Sequence, residues 1–210
     1  YTRSISTKSA EAETWFNRGL NWCYAFHHKE AIRCFHKTIE LDPSCVMGYW
    51  GVAYATGPYY NIPWEKMSPS GRPEAIRICY EYSQKAKELR ETTPLSEVET
   101  ALCDALAIRF QANKANEIEE LKKWDDDYAD AMRLVYRDFS DDYDVCALTA
   151  EALVVRTPWQ LWDLKNRTPA EGTFTEEAIE IVEKALGRIE EKKHTPHAGL
   201  LHFYILDFGI

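Results

Sequence analysis

The chain has 210 residues, 45% of them apolar and 28% charged, with a formal net charge of −9. This is the composition of a folded globular chain, and its acidic balance opposes a phosphate backbone, whose binding relies on clustered Lys and Arg. No apolar run approaches the roughly 20 residues of a membrane helix, so neither nucleic acid nor a membrane is an expected partner.

The opening residues, YTRSISTKSAEAET, lack the hydrophobic core of a secretion signal, and the expected compartment is the cytoplasm. A first helical pattern carries Trp15, Gly19 and Trp22. The stretch FHHKEAIRCFHKTIELDP (26–43) follows it, with Ala31, Phe35 and Thr38 in a small–x3–large–x2–small spacing. Small residues let a neighbouring helix approach, the large one wedges between helices, and Pro43 stops the helix. A further helix from Ser44 to Thr56 holds Tyr49, Val52 and Ala53.

The same spacing recurs in YADAMRLVYRDFSDDY (128–143), through Ala131 and Val135, and in TEEAIEIVEKAL, through Ala178, Val182 and Ala185. Leu102, Ala105, Leu106, Arg109 and Phe110 form another helical stripe. The intervals between copies are unequal, so the array is interrupted. The expected architecture is one all-α helical-repeat domain. Its helix pairs fall near 12–43, 44–91, 95–139 and 141–191, and a last helix starts at about 197.

Two segments break the helical pattern: ATGPYYNIPWEKMSPSGRP (55–73) and RTPWQLWDLKNRTPAEGTF (156–174). They carry Tyr59, Tyr60, Trp64, Trp159 and Trp162. Long loops with large aromatics are usually packed and often functional. They either cap the open end of a helix stack or line a ligand pocket. Asp125, Asp126 and Asp127 read as a solvated helix start, and Asp141, Asp142 and Asp144 as a similar turn. The six cysteines form no C-x-x-C pair, which points to buried reduced thiols.

The residues Trp15, Gly19, Ala31, Phe35 and Pro43 together resemble a tetratricopeptide repeat, a helix–turn–helix unit of about 34 residues. The whole chain is similar to a family of uncharacterised tetratricopeptide-repeat proteins of bacteria and fungi. FHHKEAIRCF, MGYWGVAYATGPYYN, RTPWQLWDL and HAGLLHFYI carry that similarity. It implies a helical-repeat fold. Fungal members that resemble products of secondary-metabolite gene clusters hint at enzymes. The chain departs from the family at its end, where Leu206 stands in place of a His, as in a shortened form or one lacking a C-terminal half.

Two functions follow. The first is a binding module. The inner face of the repeats carries Phe16 and Leu20, then Trp50 and Tyr54, so it is apolar and argues against a carboxylate clamp. With Tyr59, Tyr60, Trp64, Trp159 and Trp162, it would bind a protein, a peptide or a small apolar ligand, and self-association stays open. The second is a metal-dependent enzyme on the same scaffold. His27 and His28 fall in a turn, His197 and His202 near the last helix, and His36 on the solvent side. Imidazole suits zinc, iron or copper. A divalent transition metal would be held by His27 or His28 with His197, His202 and a carboxylate. The alternative is that these are hydrogen-bonded structural histidines. His197 and His202 are five apart and do not form the i, i+4 pair of helical metal sites.

Overall fold

A computed structural model describes residues 1–115 and 117–206; the side chain of Leu206 lies outside the described residues. Nine α-helices are found among them. They are α1 (Ala10–Tyr24), α2 (His28–Leu41), α3 (Val46–Thr56), α4 (Gly71–Leu89), α5 (Glu97–Arg109), α6 (Ile118–Phe139), α7 (Tyr143–Val154), α8 (Thr175–Lys192) and α9 (Ala198–Leu206). The fold is an all-α, tetratricopeptide-like helical repeat. Each odd-numbered helix up to α7 packs on the even-numbered one that follows it.

Local chemistry sets several helix starts. Ser9 caps α1, its side chain accepting from the Ala12 amide. Ser96 and Glu99 form a reciprocal capping box on α5, and Asp142 accepts two amides at the head of α7. Such caps satisfy amides that have no partner within the helix.

Packing explains the repeated spacing. Phe35 is fully buried, and its ring lies where two glycines leave room. A Cβ on Gly19 would stand 2.6 Å from that ring, and one on Gly51 2.5 Å. The wedge therefore joins α2 to both α1 and α3. Ala31 and Thr38, a turn either side, are also fully buried.

The inner surface departs from an open groove. Phe16 and Leu20 of α1, Met47 and Trp50 of α3, Leu102 of α5 and Leu148 of α7 surround one small void. The Trp50 indole donates to the Leu102 carbonyl at 3.2 Å, and all of α7 except Tyr143 is buried. Trp50 and Tyr54, expected on a groove wall, are 1% and 4% exposed and stack on each other at 5.0 Å. Their apolar area gains more from burial against facing helices than from an open channel, so the inner face is core.

The first nine residues strap this core. Ser6 donates through its amide and hydroxyl to Glu99, Thr7 donates to Asp42, and Arg3 donates to Asp142 and Asp144. All six cysteines are buried and free. No described helix is long and apolar enough to cross a membrane.

Candidate ligand-binding site

The two interrupting loops meet. In the first, Tyr59 and Ile62 exchange backbone hydrogen bonds across a tight bend, and a one-turn 3₁₀ helix, Trp64–Lys66, follows. Arg72 ties that turn down by donating to the Trp64 carbonyl at 2.8 Å. In the second loop, β1 (Trp162–Asp163) pairs antiparallel with β2 (Thr168–Pro169). The Thr175 hydroxyl anchors it by donating to the Leu161 carbonyl at 3.0 Å.

Trp159 is the point of contact. Its ring lies 5.2 Å from that of Tyr60, and the Lys66 ammonium sits 4.9 Å above it. The indole is 58% exposed, and its backbone is left-handed at φ 66°. A large non-glycine residue pays roughly 1–2 kcal/mol for that conformation and keeps it only when the surroundings impose it.

Beside Trp159 opens a pocket of about 330 Å³. Lys66, Lys122, Arg156, Thr157 and Glu65 are on its walls. Three cations thus face one carboxylate. Lys122 pairs with Glu65 at 3.2 Å, and Arg156 pairs with Asp126. Arg156 also lies over the Phe174 ring at 4.2 Å. Arg156 Nη1 and Thr157 Oγ1 have no hydrogen-bond partner. The positive excess of the wall suits an acceptor group.

The remaining aromatic candidates have other settings. Trp64 is 1% exposed and packs edge-on to Phe110. Tyr60 is buried, with its ring beside that of Trp159. Trp162 is half-buried in β1. Tyr59 is half-buried and stacks on His28 at 3.7 Å.

The four candidate histidines do not gather. Among the described residues, no three or more His, Cys, Asp or Glu are placed to hold one metal ion. His27 is exposed and packs on Trp22. His28 Nδ1 bonds the Ala55 carbonyl at 3.1 Å, and burial lowers its pKa to about 4. His202 bonds the Tyr24 carbonyl. His197 is fully buried: its Nδ1 accepts from the Leu200 amide and its Nε2 donates to Asp144 at 3.0 Å. His36 is exposed, as its place on α2 implies.

Two acidic runs were expected to be solvated, and each hides a buried member. Asp125 lies within α6, 5% exposed, paired with Arg109 at 2.9 Å. Asp144 is 1% exposed and receives bonds from Tyr1, Arg3, Tyr24 and His197. Burial alone would raise its pKa, but the His197, Arg3 and Tyr24 contacts outweigh that and hold the carboxyl well below the usual range. A carboxylate can leave water when enough donors surround it.

Lys66, Lys122 and Arg156 escape a reading that searches loops for aromatics alone. Arg109 did leave a trace, as a cation on the apolar stripe of α5. Such a residue needs a buried counter-charge.

Residues 12–45 match the tetratricopeptide repeat family model. The match covers α1 from Ala12, α2 and the turn into α3, and so holds Gly19 and the Phe35 wedge. That segment is similar to a repeat whose arrays commonly mediate protein and peptide binding. No curated protein and no solved structure matches it.

Proposed function

We propose that the chain is an interaction module that receives an acidic, aromatic-containing segment of a partner protein in the pocket at the joined loops. The observation that carries this is Trp159: exposed, left-handed, and set between Tyr60 and Lys66 at the pocket rim. Exposed aromatics and Arg are typical anchors of interfaces. Lys66, Lys122 and Arg156 complement carboxylates of the partner. The inner face is filled, whereas at the joined loops aromatic and charged groups meet solvent together.

The test is fluorescence anisotropy with a dye-labelled peptide of alternating glutamate and phenylalanine. Trp159→Ala and Lys66→Glu are expected to weaken binding by about tenfold or more. A peptide with lysine in place of glutamate is expected not to bind. Equal binding of both peptides, or variants that bind like the parent, would overturn the reading.

A further inference from the structure

Residues 1–8 sit on the fold in the manner of a bound peptide. They form no helix or strand. Side chains hold their backbone. Asn17 of α1 grips Arg3 twice, accepting from its amide at 2.6 Å and donating to its carbonyl at 2.9 Å. Asn21, one turn further along α1, donates to the Tyr1 carbonyl at 3.0 Å. The Ser6 amide donates to Glu99 at 2.7 Å, and the Lys8 amide donates to Asp42 at 3.1 Å. A side-chain amide that bonds both backbone groups of one residue copies the pairing of a strand, which is how an extended chain is held whatever its sequence.

The side chains of the segment are met as well. Arg3 donates to Asp142 at 2.8 Å and to Asp144 at 2.9 Å. Ile5 is 8% exposed and belongs to the core. The hydroxyls of Ser6 and Thr7 donate to Glu99 and Asp42. The receiving groups are therefore amides on α1 and carboxylates at the end of α2 and the first turns of α5 and α7. Such a set accepts N–H, O–H and guanidinium donors.

A cavity of about 540 Å³ lies beside the head of this segment. Tyr1 and Thr2 stand on one side of it, and Asn17, Arg18, Asn21 and Trp22 of α1 are on its walls. Trp22 is 42% exposed. The two asparagines that grip the segment thus also line the space next to it.

We infer that residues 1–8 are the built-in occupant of a peptide site, and that an extended segment of a partner protein with the same chemistry replaces them. That chemistry is an arginine, an aliphatic residue two positions on, and hydroxyl residues directly after it. The carboxylates of Asp42, Glu99, Asp142 and Asp144 repel an acidic segment and favour a basic one. The site is distinct from the loop pocket, whose wall carries Lys66, Lys122 and Arg156. The built-in segment is tethered, so it competes at an effective concentration of about millimolar. A partner gains its foothold in the cavity at Trp22 and binds more tightly as the tethered segment loosens.

The experiment is fluorescence anisotropy of the dye-labelled peptide YTRSISTK with the full chain and with its Ile5→Ser variant. Ile5 lies outside every helix, so the change loosens the segment and leaves the receiving side chains in place. The variant is expected to bind at least about tenfold more tightly than the parent, because a larger fraction of its sites stands open. A peptide with glutamate in place of the arginine is expected not to bind, and Trp159→Ala is expected to bind YTRSISTK like the parent. Hydrogen exchange on the parent gives a second readout. Saturating peptide should speed exchange of the Arg3, Ser6 and Lys8 amides and leave the helices unchanged. No binding by either protein, equal affinity of parent and variant, equal binding of the two peptides, or unchanged exchange under saturating peptide would overturn the inference. A dimer of the parent that the peptide dissolves would give the site to the same segment of a second copy, and would overturn the assignment to a different partner.

Discussion

The Tyr24 hydroxyl donates to Asp144 Oδ1 at 2.5 Å, linking the end of α1 to the start of α7 across 120 positions of sequence. The His197 Nε2 meets the same oxygen at 3.0 Å, and Arg3 and Tyr1 hold the other. One carboxylate thus ties the N-terminal strap, the first helix and the approach to the last helix to α7. Asp144→Asn keeps the volume and loses the charge. We expect it to destabilise the fold by about 3 kcal/mol, because Arg3 is left without half of its counter-charge. Denaturant unfolding measures this, and a loss below about 0.5 kcal/mol would contradict the role given to Asp144.

The buried carboxylates respond to pH in opposite directions. Asp144 has a depressed pKa in the fold. Its stabilisation is complete above the unfolded value of about 4 and is lost as pH falls below it. Glu151 and Asp125 are raised to about 7 and about 6 by burial. For them the folded state binds protons that the unfolded state has released, so stability declines as pH climbs from about 4 to about 7. We expect the Glu151→Gln variant to lose about half of that decline, roughly 3 kcal/mol by neutral pH, with the Asp125 share remaining. Midpoints recorded across pH for parent and variant check it: parallel curves would exclude Glu151 as the source.

Phe35 offers a packing test. Gly19→Ala and Gly51→Ala each drive a methyl group into the same ring. Overpacking of this kind costs about 1–3 kcal/mol. The double variant should cost less than the sum, because once the ring has moved for one methyl it has partly cleared the other. Strict additivity in a double-mutant cycle would show that the two glycines do not share a wedge.

Trp159 separates binding from stability. It is exposed and held at φ 66°. Trp159→Gly relieves the backbone while removing the indole, so we expect an unfolding free energy within about 1 kcal/mol of the parent. Peptide binding should fall as in Trp159→Ala. Large destabilisation would mean that the indole serves the fold.

The repeat was legible because its signals are local. Gly19, Ala31, Phe35 and Pro43 sit at fixed intervals, and the geometry of two packed helices fixes those intervals. The buried thiols were legible for the same reason. What the pattern hid was long-range. Nothing near Asp144 in the chain announces Tyr24 or His197, and an acidic run looks solvated whether or not one member turns inward. Glu151 offered a weak signal as a lone carboxylate in the apolar stretch CALTAEALVV. Trp50 and Tyr54 have a helical phase that suits an inner face, but phase does not say whether that face is open. The meeting of Tyr60 with Trp159 depends on how two loops fold back, which no periodicity encodes.

The filled inner face changes how the molecule comes apart. In an open repeat array each unit touches only its neighbours, so terminal units can fray alone. Here α7 is buried along nearly its whole length, and Arg3 reaches from the opening residues to its first turn. The opening residues cannot peel away without exposing the centre. The described chain is therefore a cooperative unit whose ties include contacts between residues far apart in sequence. Such distant closure slows folding relative to a chain of local contacts.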